Sequence, residues 1–422
     1  MTQSSASVAD TRPAIQVNGR TLHWPRRPTV VICLDGGDPS YLEAADAADA
    51  IPHIDGMMRD GFAATCEAAM PTFTNPNNLS IVCGAPPSVH GVSGNYYLDR
   101  RSGKEVMMLD ATPVRAPTIL AAFSRAGASV IAITAKDKLR KALAKDLDGI
   151  AFSAQDADRC SEAENGISNV LQLVGRDLPD QYSAELSLFV LDAGVRLLAL
   201  RSPDLMYLSL SDYVQHKHAP DSPEAIRFMR AVDARVGALI AAGATVGLTA
   251  DHGMNDMAMA DGTPNVVYVG DHLDAVHGVG ATRVICPITD PFVKHHGALG
   301  GFIRVYVRDG AQVEAIAREL RGLPGIAYAM TRDEACRTFD LPEDLEGDIA
   351  VVADKGVALG SRASEHDTSG LAGERLRSHG GVSERIVPFM LSHKLTAEYL
   401  ARSSSGLKNY DIFEYALNGV QR

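Results

Sequence analysis

From Thr29 onward, short apolar runs alternate with longer segments in which apolar residues recur at helical spacing. Runs rich in β-branched residues predict buried strands at 29–34, 128–134, 204–211 and 244–250. Helical periodicity predicts amphipathic helices near 54–60, 117–126, 185–200 and 222–241. Strands and helices that alternate in this way are typical of a mostly parallel sheet with helices on both faces. We therefore expect an α/β fold.

The segment from about 260 to 375 has a different pattern, richer in Gly and Asp. It carries a strand-like run at 301–307, a helical stretch at 311–322 and two further apolar runs, which together predict a small inserted α+β unit. Strand character returns at 385–391, and a C-terminal helix is predicted near 408–417. We expect a core formed by 25–259 and 376–422, with 260–375 as an inserted cap subdomain.

Composition narrows the class of protein. Of the 422 residues, 46% are hydrophobic, which favours a globular protein. The formal charge of −12 argues against nucleic acid or an anionic membrane as partner. The N-terminus lacks a signal-peptide layout and no run approaches about 18 apolar residues, so we expect a cytoplasmic location. The six cysteines show no C-x-x-C pair, which predicts free thiols. A monomer and a homodimer both remain open.

Three predicted strands end in loops that hold Asp or His. Asp35 follows the first strand, Asp212 and His216 follow the third, and Asp251-His252 follows the fourth. The carboxyl ends of parallel strands share one edge of a sheet, where ligands collect. Each motif has a structural alternative, since Asp35 alone could cap a turn and the Asp212 segment could be an ordinary helix start.

His379, followed by two glycines, lies just before the strand-like run at 385–391 and adds a third imidazole to this edge. Asp212 and His216 are four residues apart, so both side chains can project from one face of a helical turn, whereas His218 would face elsewhere. Three carboxylates and three imidazoles are enough ligands for two metal ions.

A nucleophile and an anion-binding pair complete the candidate set. Thr74 immediately precedes an Asn-Pro-Asn helix start, where it could act either as an N-cap or as a nucleophile near the positive end of the helix dipole. We prefer it to Thr72 because of that position. Lys136 and Lys138 follow the second predicted strand and could be surface residues or could hold an anionic group.

These residues, in this order, resemble the alkaline phosphatase superfamily, in particular its nucleotide pyrophosphatase/phosphodiesterase branch. The segment PTFTNPNNLSIVCGAPPSVHGVSGN resembles the nucleophile segment of that branch, and the match covers about 29–255 and 375–392. The resemblance implies an alkaline-phosphatase-like core with two zinc ions. One zinc would be held by Asp212, His216 and His379, and the second by Asp35, Asp251, His252 and the oxygen of Thr74.

Within that branch the chain resembles the phosphonoacetate hydrolases, in which Lys136, Lys138 and Asn95 would contact a small anionic phosphonate. That resemblance implies hydrolysis of the C–P bond of phosphonoacetate through a phosphothreonine. The alternative is a phosphodiesterase or nucleotide pyrophosphatase, although Asn77-Asn78-Leu79 stands where those enzymes commonly have Asn-His-Tyr. A manganese-dependent phosphosugar mutase of the same fold matches less well. We expect His295 and His296 not to be ligands, because six ligands already complete the set.

Overall fold

The computed structural model describes residues 12–100, 102–108, 110–290, 295–371 and 373–421. A seven-stranded sheet lies at its centre, and all of its strands are parallel except Ile386–Leu391. In spatial order the strands are Phe62–Glu67, Ile386–Leu391, Thr245–Thr249, Thr29–Cys33, Leu205–Ser209, Val130–Thr134 and Ile150–Ser153. The expected mostly parallel α/β sheet is confirmed, and strands occur in every apolar run that predicted one in the core.

Helices cover both faces of this sheet. As a result, every residue of a central strand such as Thr29–Cys33 is buried. Val30 and Ile32 point into one apolar cluster, while Val31 and Cys33 point into the other, as the two-residue period of a strand requires. The first cluster is closed by Pro39–Ala47, Pro52–Asp60, Val170–Val174, Ala184–Arg201 and Pro223–Ala241. The second is closed by Thr74–Cys83, Ile119–Arg125, Asp137–Leu143, Ala397–Ser403 and Ile412–Glu414.

The C-terminal helix predicted near 408–417 is confirmed as a helical segment that runs from Asn409 to Gly419. Its geometry changes along the segment, from 3-10 at Asn409–Asp411 through α at Ile412–Glu414 to π at Tyr415–Gly419. The buried side chain of Asn409 donates to Asn77 Oδ1 at 3.0 Å and to the Ala250 carbonyl at 3.1 Å. These bonds attach the start of the segment to the core, and helical periodicity in the sequence does not reveal them.

The region between the core segments contains a second, antiparallel sheet of four strands. Its strands are, in spatial order, Thr282–Ile285, Phe302–Val307, Ile349–Ala353 and Ile326–Thr331, and its helices are Val269–His277, Val313–Arg321 and Arg332–Phe339. Its apolar cluster also includes Met70 and Phe73, which belong to the segment that leads into the helix beginning at Thr74. We keep boundaries near 260 and 375 as a proposal, supported by the strand pair Asn255–Asp256 and Arg377–Ser378 at that junction.

The remaining elements are short. Hairpins form between Ile15–Val17 and Arg20–Leu22 and between Tyr96–Asp99 and Lys104–Met107, and Val266–Tyr268 pairs in parallel with Ala358–Gly360. The short helices are Pro87–His90, Glu162–Asn165 and Tyr213–Lys217. Among the described residues, no helix combines the length and the apolar character needed to cross a bilayer. All six cysteines are free thiols, as expected.

Candidate active site

Three neighbouring parallel strands deliver the predicted carboxylates to one edge of the central sheet. Thr245–Thr249, Thr29–Cys33 and Leu205–Ser209 lie side by side, and they lead into Asp251, Asp35 and Asp212 respectively. The next strand, Val130–Thr134, leads into Lys136 and Lys138. Topology alone therefore brings these side chains together, since adjacent parallel strands end at the same edge.

The six predicted ligand residues form one linked cluster. His216 Nε2 is 2.9 Å and His379 Nε2 is 3.8 Å from Asp212 Oδ2. His252 Nε2 is 3.3 Å from Asp35 Oδ1 and 3.8 Å from Asp251 Oδ2. Two sets of ligand atoms each fall within 4.8 Å of one another: Asp212, His252 and His379, and Asp35, Asp251 and His252. His252 thus joins the two halves of the cluster.

Each of the three imidazoles is oriented by a hydrogen bond between its Nδ1 atom and a backbone carbonyl. Nδ1 of His216, His252 and His379 lies 2.7, 2.9 and 2.7 Å from the carbonyl oxygens of Arg377, Gly253 and Thr72. A carbonyl oxygen can only accept, so each Nδ1 carries the proton and donates. In the neutral rings the lone pair therefore resides on Nε2, the nitrogen turned toward the carboxylates, which is the arrangement of metal-binding histidines.

The carboxylates are crowded in a way that suits bound cations. Burial, together with the charges of Asp212 and Asp251, raises the pKa of Asp35 well above its ordinary value. Burial raises the pKa of Asp251 to about 7, and the charge of Asp212 adds to that effect. Asp35 Oδ1 is buried and lacks a hydrogen-bond partner. Imidazole and carboxylate donors arranged in this way fit divalent transition metals.

Thr74 lies at the edge of this cluster. The helix Thr74–Cys83 begins at Thr74 itself, with Phe73 in the N-cap position, so the alternative in which the Thr74 hydroxyl caps the helix is wrong. Its Oγ1 lies 3.2 Å from His252 Nε2. By contrast, Thr72 Oγ1 donates to the Gly381 carbonyl and accepts from the Gly380 amide, so it serves the loop that follows His379.

The predicted substrate contacts line one small cavity of about 80 Å³. Its wall includes Thr74, Asn95, Lys136 and Lys138 together with ligand residues from both halves of the cluster. Lys138 Nζ lies 3.2 Å from Asp290 Oδ2, which also lines the cavity. The cavity is therefore lined by both the candidate nucleophile and the two lysines.

Several further residues at the site were not among the candidates chosen from the sequence. Asn75 Nδ2 donates to Asn95 Oδ1 at 2.6 Å, and Asn78 Nδ2 donates to Asp251 Oδ2 at 3.0 Å. The His295 ring centroid is 4.2 Å from that of His216, and His296 lines the cavity. The asparagines carried a weak signal, because their spacing from Thr74 places them on the first turn of the same helix. The two adjacent histidines were conspicuous but lay outside every motif.

Comparison with known proteins is consistent with this arrangement. Residues 29–381 match the family model of type I phosphodiesterase / nucleotide pyrophosphatase. A structure of phosphonoacetate hydrolase from Sinorhizobium meliloti 1021 in complex with phosphonoformate has 45% identity and a TM-score of 0.91, over 96% of this chain and 99% of that one. A structure of the same enzyme in complex with phosphonoacetate has 44% identity and a TM-score of 0.90 at the same coverage.

A more distant match shows only that the fold is shared. Murine ectonucleotide pyrophosphatase / phosphodiesterase 5 has 16% identity and a TM-score of 0.61, over 91% of this chain and 92% of that one. Both resemblances stated from the sequence motifs are confirmed by the family model and the two high-identity structures. The chain therefore belongs to the type I phosphodiesterase / nucleotide pyrophosphatase family and is similar over nearly its whole length to phosphonoacetate hydrolase.

Proposed function

We propose that this protein hydrolyses the C–P bond of phosphonoacetate, releasing acetate and phosphate, with Thr74 as nucleophile and two zinc ions as cofactors. The observation that carries the proposal is the single small cavity lined by Thr74, Asn95, Lys136 and Lys138. The relative's structures with bound phosphonoacetate and phosphonoformate support the same class of small anionic substrate.

The cavity suits a molecule with negative charge at both ends. Phosphonoacetate carries a phosphonate and a carboxylate joined by one methylene group, so its two charged ends are only a few ångströms apart. Lys136 and Lys138, which carry ammonium groups, and Asn95, which carries an amide donor, all line the same small volume. In a partly desolvated cavity these charge-assisted hydrogen bonds are stronger than in water. The lysines therefore favour a doubly anionic substrate over a phosphodiester.

The division of the ligand residues between two metal ions is the one that the family resemblance implies, and the contacts of Asp212 with His216 and His379 support it. Asp212, His216 and His379 would hold one zinc, and Asp35, Asp251, His252 and the Thr74 oxygen would hold the second. When bound, the two ions supply positive charge to the phosphonate oxygens and favour ionisation of the Thr74 hydroxyl. Burial and the neighbouring His252 and His216 lower the pKa of His379 well below its ordinary value, which keeps that imidazole neutral and able to bind a metal.

The reaction proceeds in two displacements at phosphorus. In the first, Thr74 Oγ1 loses its proton and forms a bond to phosphorus while the P–C bond breaks. The electron pair of that bond passes to the methylene carbon, which takes a proton to give acetate. In the second, water attacks phosphorus, the bond to Thr74 Oγ1 breaks, and the threonine hydroxyl is restored as phosphate leaves. The start of helix Thr74–Cys83 directs positive dipole at the reacting oxygens.

Substrate choice is the direct test of this proposal. The purified protein should release phosphate from phosphonoacetate and turn over a nitrophenyl phosphodiester at least about tenfold less efficiently, since a diester offers Lys136 and Lys138 no second anionic group. The measurement is kcat/KM for both substrates with the same zinc-loaded preparation. If the diester were the better substrate, the alternative of a phosphodiesterase, which the family model also accommodates, would replace this proposal.

The lysines provide a second, residue-level prediction. Lys136→Ala should lower kcat/KM for phosphonoacetate by about 10- to 100-fold through loss of a charge-assisted contact. Lys138→Ala should cost more, because it also removes the cation that lies 3.2 Å from the Asp290 carboxylate on the cavity wall, where an anion must bind. Lys141→Ala is a matched control on the same helix, since that ammonium is half exposed and pairs with Asp137. Equal activity of all three variants would place the two cavity lysines outside substrate binding.

A further inference from the structure

Arg304 is the largest fully buried side chain of the described structure, with 1% of its surface exposed. Its Nε donates to Glu346 Oε2 at 2.7 Å and its Nη2 donates to Glu346 Oε1 at 2.6 Å, so the two side chains form a bidentate ion pair. Both residues belong to the region between the two core segments. Desolvating two charges offsets much of their attraction, so a buried pair of this kind is a poor source of stability and calls for another explanation.

The pair reaches out of its own region to the loop that carries Asn95. Arg304 Nη2 donates to the Ser93 carbonyl at 2.7 Å, and Nη1 donates to the Tyr96 carbonyl at 3.3 Å. Ser93 Oγ donates to Glu346 Oε1 at 2.6 Å. The guanidinium therefore holds the backbone on both sides of Gly94 and Asn95.

The loop is pressed closely against this region. A Cβ atom added to Gly94 would lie 2.6 Å from Pro287 Cβ and 3.2 Å from Arg304 Nη1, so only glycine fits between them. The backbone N–H of Asn95 donates to the Pro287 carbonyl at 2.8 Å, and the backbone carbonyl of Asn95 accepts from the Met108 backbone N–H at 2.8 Å. Both backbone polar groups of Asn95 thus have a hydrogen-bond partner.

These contacts determine where the Asn95 side chain points. Its Oδ1 accepts from Asn75 Nδ2 at 2.6 Å, and Asn75 lies next to Thr74 on the same helix. With the acceptor end engaged in this way, the donor end, Nδ2, is presented to the cavity that Asn95 lines. A fixed backbone and a fixed Oδ1 leave the side chain little freedom to turn away.

We propose that the Arg304–Glu346 ion pair is a positioning device that aims Asn95 at the anionic substrate, and that Arg304 is a positioning residue for the reaction. This inference rests on the proposed function, in which Asn95 donates to a substrate oxygen. It assigns the region between the core segments a direct part in building the cavity wall. A donor held before the substrate arrives costs little reorganisation when charge develops, which is why its placement affects rate.

A double-mutant cycle between Arg304 and Asn95 tests the inference. The variant is Arg304→Lys, because an ammonium keeps Glu346 paired but cannot hold two carbonyls and a carboxylate at once as the guanidinium does. Alone it should lower kcat/KM for phosphonoacetate by about tenfold and weaken phosphonoformate binding, measured by calorimetry, by a similar factor. In an Asn95→Ala background it should add less than about twofold, because the residue through which it acts is gone.

Folding and unrelated effects are controlled separately. Melting temperatures are measured for every variant, and Arg304→Met with Glu346→Met removes both charges if the lysine variant does not fold. Arg20→Lys is the matched control, since Arg20 also donates to a carboxylate, Asp411 at 2.6 Å, and to a backbone carbonyl, but that carbonyl belongs to Gly84 and not to the Asn95 loop. It should leave kcat/KM unchanged within about twofold.

The outcomes separate this inference from the proposed function. If the fold-losses in kcat/KM of Arg304→Lys and Asn95→Ala multiply in the double variant, the ion pair does not act through Asn95 and the inference is overturned. Turnover of phosphonoacetate by the unmodified protein would then still support the proposed function. If Asn95→Ala itself has no effect, the role of Asn95 and the inference fall together. If phosphonoacetate is not turned over at all, the proposed function fails on its own assay.

Discussion

Replacing Thr74 with alanine should reduce phosphate release from phosphonoacetate by about 1,000-fold or more, because the first displacement loses its nucleophile. Thr72 cannot substitute, since its Oγ1 is engaged with the loop after His379. The measurement is kcat with zinc content verified for each preparation. In the unmodified protein, acid quenching during turnover should trap a phosphate group on the peptide that contains Thr74, detected by mass spectrometry.

Thr74→Ser is the matched control for this experiment. It keeps the hydroxyl at the start of the helix and removes only a methyl group, so it should retain activity within about 100-fold of the unmodified protein and far above that of Thr74→Ala. Substantial activity in Thr74→Ala with zinc bound would show that water attacks the substrate directly. That result would overturn covalent catalysis while leaving the substrate assignment in place.

Removing the metal ions with a chelator should abolish turnover and lower Tm by several degrees. Asp35, Asp212 and Asp251 are all buried and close together, so without cations their mutual repulsion is uncompensated. Differential scanning calorimetry before and after chelation measures the shift, and zinc should restore both Tm and activity. Better recovery with manganese than with zinc would contradict the proposed identity of the metal. An unchanged Tm would contradict metal binding at these residues.

The pH dependence of that shift gives an independent check with a definite sign. In the metal-free protein the pKa of Asp251 is raised, by burial first, to about 7, above the value of about 4 expected in the unfolded chain. Between these values the native state binds a proton that the unfolded state releases, so this group makes the metal-free protein less stable as pH rises from about 4 to 7. Metal binding requires the ionised carboxylate, so the metal-loaded protein responds oppositely. The gap in Tm between the two forms should therefore widen from pH 5 to pH 8, and a narrowing gap would contradict this account.

Much of the fold follows from local sequence pattern. The strand Thr29–Cys33 was predictable because five consecutive apolar or β-branched residues can be buried only when both faces of the sheet are covered. The helix Ala184–Arg201 was predictable from its periodicity. The attachment of the C-terminal helical segment to the core was not, because the side-chain bonds of Asn409 depend on Asn77, more than 300 residues earlier. Contacts over such sequence separations leave no local signature.

For the candidate site, too, some features follow from the sequence and others only from the tertiary structure. The sequence by itself determined which side chains are available at the carboxyl ends of the strands, since strand period and the order of the motifs place Asp35, Asp212 and Asp251 there. Only the tertiary structure decided that His252 lies between the two halves of the cluster, that each histidine turns Nε2 inward, and that Arg304 holds the Asn95 loop. Residue type and period are properties of short segments, whereas distances, proton positions and the cost of burying charge are set by how distant segments pack together.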